Sequence, residues 1–69
     1  MMLQPIQFKD VPIGKIFTTQ AELDKWGEEN AFYLEKKAEH GAKNARWLCG
    51  GEYQFTGFTP DTIVFVSDD

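Results

Sequence analysis

Ala31-Phe32-Tyr33-Leu34-Glu35-Lys36-Lys37-Ala38-Glu39-His40 is the stretch on which the fold turns. Its aromatic opening favours a strand, whereas Glu35-Lys36-Lys37-Ala38-Glu39 favours a helix. A single helix from Gln20 to His40 would set Leu23, Trp26, Asn30, Tyr33 and Lys37 on one stripe. Two of these five are polar and Gly27 lies inside the span, so the stripe is too broken to bury well. A strand over Ala31–Lys37 is therefore expected. The choice decides the architecture. With a strand the chain is mainly β with one short helix; with a helix it becomes α+β, an antiparallel sheet packed on one longer helix.

Downstream, Ala45-Arg46-Trp47-Leu48-Cys49, Gly50-Gly51 and Glu52-Tyr53-Gln54-Phe55-Thr56 read as two strands joined by a two-residue turn. Thr59-Pro60-Asp61 marks another turn. Thr62-Ile63-Val64-Phe65-Val66, apolar on both faces, is expected to lie centrally under a covering element. Upstream, Gln7-Phe8-Lys9-Asp10-Val11 alternates like a strand before Pro12-Ile13-Gly14 turns the chain into a strand at Lys15-Ile16-Phe17-Thr18. Thr19-Gln20-Ala21-Glu22 has the form of a capping box, opening a helix over Gln20–Trp26 that Gly27 stops. About five short antiparallel strands in 69 residues imply a small closed barrel, because closure removes exposed edges.

The length and the 42% apolar share fit one folded domain, residues 1–69. The longest apolar run, Ile63-Val64-Phe65-Val66, is far short of the roughly 20 residues of a membrane span. Met1-Met2-Leu3-Gln4-Pro5 shows no basic or apolar leader region, so a cytoplasmic protein is expected. A net charge of −4 argues against a duplex-DNA grip, which needs clustered bases. Cys49 and His40 are each the single residue of their kind, which leaves no disulfide framework and no cysteine zinc site. Cys49 reads as a small apolar strand residue and His40 as an exposed loop residue. Glu28-Glu29 and Asp68-Asp69 are adjacent pairs whose side chains diverge, and no serine precedes Ser67. Gly50-Gly51 joins strands and so cradles no phosphate. A non-enzymatic protein without metal or cofactor is expected.

Phe8-Lys9-Asp10-Val11-Pro12-Ile13-Gly14-Lys15-Ile16-Phe17 resembles the opening of a group of small bacteriophage and prophage proteins. Their pattern runs F-x-D-L-P-x-G-x-x-F, an aromatic-containing strand ending in Lys, an Ala, then F-x-P-D-x-x-V. Lys36 or Lys37 would be the Lys, Ala42 or Ala45 the Ala, and Phe58-Thr59-Pro60-Asp61-Thr62-Ile63-Val64 the closing motif. Thr19 to Asn30 departs from the pattern as a helical insertion. The resemblance implies an SH3-like β-barrel and an accessory factor that binds host machinery, including inhibitors of host enzymes or of antiviral defence. Phe8 and Phe17 read as core, and Pro12–Gly14 and Pro60-Asp61 as turns.

Charge is unevenly spread. Gln20–Glu35 holds five acids and one base, and Lys36–Arg46 holds four bases and one acid. Two binding surfaces follow. Glu22, Asp24, Glu28 and Glu29 around Trp26 form a surface for a basic face of a host protein, imitating nucleic-acid phosphates; the alternative is Trp26 as a lid on the barrel mouth. Lys36, Lys37, Lys43 and Arg46 beside Trp47 and Tyr53 form the second, for a nucleotide or single-stranded nucleic acid. Its alternative is Trp47 and Tyr53 in the core with the bases solvated. So short a chain without staples needs most of its aromatics for the core, or else oligomerises as a homo-oligomer.

Overall fold

Pro5 lacks the N–H that a ladder needs, and the sheet places it on an edge strand. In the computed structural model, which describes residues 2–48 and 54–67, the elements are β1 (Leu3–Gln7), a single 3-10 turn (Phe8–Asp10), β2 (Ile16–Thr19), α1 (Gln20–Trp26), β3 (Leu34–His40), β4 (Lys43–Trp47), β5 (Phe55–Thr56) and β6 (Ile63–Ser67). The strands form one antiparallel sheet in the order β1-β6-β2-β3-β4-β5. The chain is thus mainly β, and Ala31–His40 does not extend α1.

The sheet curls on itself. β1 and β5 lie at its two ends, yet Phe8, directly after β1, stacks on Phe58, two residues after β5, with ring centroids 5.3 Å apart. Phe17 of β2 meets both rings edge-on at 5.5 Å. Around these rings Val11, Leu34, Ala45 and Val64 are buried, and Ile6, Trp47, Phe58 and Val66 pack against them. Asn44 of β4 fastens the segment carrying Phe58: its Oδ1 accepts from the Phe58 N–H at 2.9 Å and its Nδ2 donates to the Phe58 carbonyl at 3.0 Å. One side chain thereby supplies what a paired strand would.

Local chemistry accounts for the connections. Gly41, at φ 64°, turns the chain between His40 and Lys43, a hairpin not foreseen from the residues, and places His40 at an exposed strand end rather than in a loop. Between Lys36 and His40 the β3 register shifts against β4, so Lys37, Ala38 and Glu39 face Asn44 alone. Ala45 lies opposite Thr56 and Arg46 opposite Phe55, in the register expected for that hairpin. Its Gly50-Gly51 turn, with Cys49 and Tyr53, lies outside the described residues.

Several expectations are corrected. Gln7–Val11 is not a strand: Phe8–Asp10 coils into a 3-10 turn, and the strand is the preceding Leu3–Gln7, giving six strands rather than five. The Phe8 amide bonds to the Thr62 carbonyl in continuation of the β1–β6 register, and the Lys9 amide then slips to the Pro60 carbonyl, where the ladder ends. β3 starts three residues later than expected because the Phe32 backbone is taken by side chains, its N–H by Glu22 and its carbonyl by Thr18. The capping box is half formed: Thr19 Oγ1 accepts from the Glu22 amide, but the Glu22 carboxylate turns to Phe32. β6 is central between β1 and β2, yet Ile63 is 49% exposed, so no element covers its start. Of the aromatics, Phe8 and Phe17 are buried, whereas Trp26, Phe32 and Phe55 are exposed.

Gly57 separates β5 from Phe58 and runs close against the Gly41 turn; a Cβ there would collide with the Ala42 carbonyl oxygen. Backbone on both sides of the contact leaves no side chain to yield. Gly57→Ala is expected to lower stability by about 1–3 kcal/mol, the usual penalty of overpacking, read as a lowered urea midpoint at unchanged slope.

Candidate functional site

Gly27, at φ 81°, ends α1 one residue after Trp26, with its N–H on the Leu23 carbonyl. The chain then reverses through residues 28–33. Three side chains hold this reversal: Glu22 Oε1 accepts from the Phe32 N–H at 3.0 Å, Thr18 Oγ1 donates to the Phe32 carbonyl at 2.8 Å, and Tyr33 OH donates to the Glu28 carbonyl at 3.2 Å. Phe32 is thereby presented to Trp26, edge to face with centroids 6.1 Å apart.

The pair stays in water: Trp26 is 45% and Phe32 44% exposed. Trp26 packs on Phe32 and is not among the residues of the core cluster. Asp24, Glu28 and Glu29, close to Trp26 in sequence, are exposed, while Asp24 Oδ1 accepts from Gln20 Nε2 at 2.8 Å. Glu22 Oε1 is engaged at the Phe32 amide and so fastens the loop. Lys25, the lone base of the segment, lies 5.0 Å from the Trp26 ring centroid. Two aromatic rings fixed by their own loop, in a segment rich in exposed carboxylates, form a preorganised, partly apolar surface.

The basic residues do not form one patch. Lys36 sits opposite buried Ala45, on the inner face; its ammonium donates to the Phe8 carbonyl at 2.8 Å and lies 4.5 Å from the Phe8 ring centroid. Its neighbour in register, Arg46, faces the other side and donates to Glu35 Oε1 at 3.0 Å. Lys37 pairs with the same carboxylate at 3.4 Å. Lys43 reaches the Phe55 carbonyl at 3.4 Å. Trp47 packs half-buried against the core, and Tyr53 is outside the described residues. No protein-family model, curated protein or solved structure matches this chain. Among the described residues no helix is long and apolar enough to cross a membrane.

Sequence reasoning missed Phe32, whose place beside Trp26 depends on the loop closing through Glu22 and Thr18, a contact no periodicity encodes. It also missed Lys9 and Ile13, absorbed into a turn motif, which line a cleft together with Lys36 and Lys37.

The Arg46 hydrogen bond, against the partial loss of water and with Lys37 adding to it, holds Glu35 below the usual carboxylate range. A depressed folded value contributes stability above the ordinary value near 4.5 and loses it as pH falls through the lower folded value. Glu35→Gln is therefore expected to lower the urea midpoint at neutral pH, with the gap to the parent closing as the pH is taken below about 4.5. A gap that stays constant or widens on acidification would contradict this account of Glu35.

Proposed function

We propose that this chain is a non-enzymatic binding protein that docks on a basic surface of another protein through Trp26 and Phe32, with Asp24, Glu28 and Glu29 around them. The observation that carries the reading is the exposure of the Trp26–Phe32 pair on a loop held by three side-chain hydrogen bonds. Leaving two rings in water forgoes about 25 cal/mol per Å² of apolar area that a small core would otherwise gain. A tryptophan with an aromatic neighbour and a charged border is the composition of an interface anchor. The carboxylates select a basic face and speed encounter with it.

The resemblance to phage and prophage accessory proteins supports a protein of the bacterial host as the partner, bound in the cytoplasm, with inhibition or modulation as the proposed consequence. The basic face is then one that ordinarily holds nucleic-acid phosphates, which the carboxylates imitate. The dispersal of Lys36, Lys43 and Arg46 over separate contacts weighs against a single-stranded nucleic-acid groove as the main activity.

Affinity capture from bacterial lysate with the intact chain tests this directly. One stoichiometric protein is expected, displaced by a single-stranded oligonucleotide and by raised salt. Trp26→Ala and the double reversal Glu28→Lys, Glu29→Lys are each expected to reduce capture at least about tenfold, the scale of an interface hot spot, with the fold intact by circular dichroism. Capture unchanged in both variants, or no captured protein, overturns the reading.

A further inference from the structure

Lys36 is not an ordinary surface lysine. Its ammonium is fixed between the Phe8 carbonyl, 2.8 Å away, and the face of the Phe8 ring. An ammonium has three donors, and the carbonyl takes one. A charge held in place this way loses little rotamer freedom on meeting an anion, unlike a free lysine.

Beside it opens a cleft of about 280 Å³ between the 3-10 turn, the irregular stretch of β3 and the Pro60 turn. Lys36, Lys9 and Lys37 line it with Glu39, and Lys37 is paired with Glu35, which leaves Lys36 and Lys9 facing the Glu39 carboxylate. Its apolar wall comes from Ile13, Phe58 and Pro60, and Ile13 is 67% exposed. The volume sits just under the roughly 300 Å³ at which small-molecule sites begin. Excess positive charge is local here, on a chain whose net charge is −4.

We propose that this cleft binds a small organic anion: a phosphate or carboxylate at Lys36 and Lys9, with a compact planar body against Ile13, Phe58 and Pro60. The site is separate from the Trp26–Phe32 surface and takes a ligand of the charge that surface repels. A nucleoside monophosphate and an aryl carboxylate share this chemistry, and the two are separable by experiment.

The test is an amide NMR titration of the intact chain with adenosine monophosphate, benzoate and inorganic phosphate in turn. Saturable shifts are expected at Lys9, Ile13, Lys36 and Phe58 with at least one of the two organic anions. Tighter binding of the nucleotide identifies a phosphate ligand, and tighter binding of benzoate a carboxylate ligand. Inorganic phosphate, lacking the planar body, is expected to bind at least about fivefold more weakly than the better organic anion. Lys9→Glu and Ile13→Ser, both at exposed positions, are each expected to weaken binding about fivefold to tenfold while leaving the spectrum of the free protein folded. Lys36→Met removes the central charge but also the Phe8 contact, so Lys9→Glu decides. Shifts that spread over all lysines without saturating overturn the proposal. So does affinity indifferent to Lys9→Glu, or inorganic phosphate binding as tightly as either organic anion.

Discussion

The meeting of three phenylalanine rings, Phe8, Phe17 and Phe58, is the constraint on which the molecule depends. A six-stranded antiparallel sheet of two- to seven-residue strands has little reason to remain flat or to curl until something draws its ends together. The rings do so from beyond β1, within β2 and beyond β5. Edge-to-face and offset contacts of this kind add about 0.5–1.5 kcal/mol per pair to the area they bury. Polar groups then lock the geometry: Lys36 on the Phe8 carbonyl, and Asn44 on both backbone groups of Phe58. Without the Asn44 bonds, a partly buried N–H and carbonyl would lack partners, at about 1–3 kcal/mol.

Much of this was legible in the residues. The helix over Gln20–Trp26 was marked at both ends, by a threonine cap and by a glycine whose backbone takes φ 81°. Phe8 and Phe17, on either side of Pro12-Ile13-Gly14, stood out as core and are buried, whereas Phe58 was noted only within its motif and not as their partner. Of the lysines left open for the closing position, Lys36 reaches Phe8 and Lys37 turns to Glu35; of the alanines, Ala45 is buried and Ala42 exposed.

What stayed hidden has a common cause. β1 contains a proline, and only its place at the end of the sheet makes that proline harmless. The late start of β3 depends on Glu22 and Thr18 capturing the Phe32 backbone from ten and fourteen residues away. Gly57 is needed for the closeness of the Ala42 carbonyl rather than for its own dihedral angles. Each is a long-range requirement that local propensity does not carry. The exposure of Trp26 and Phe32 belongs here too: a core short of material would be expected to absorb them, yet their loop holds them outside it.

That the acidic surface and the lysine-lined cleft coexist on so small a molecule follows from screening. The protein measures 31 × 27 × 20 Å, whereas fields of exposed charge decay over about 8 Å at physiological ionic strength. Charges on different sides therefore scarcely feel one another, and the net value of −4 describes neither side. Where opposite charges do come close they cancel, as Glu35 does with Arg46 and Lys37. This local cancellation removes Arg46 from the basic block that the sequence displays. It leaves Lys36, held inward by the Phe8 carbonyl, as a positive charge whose position the core itself fixes. The same ring cluster that closes the sheet thus also sets where an anion would find an ordered partner.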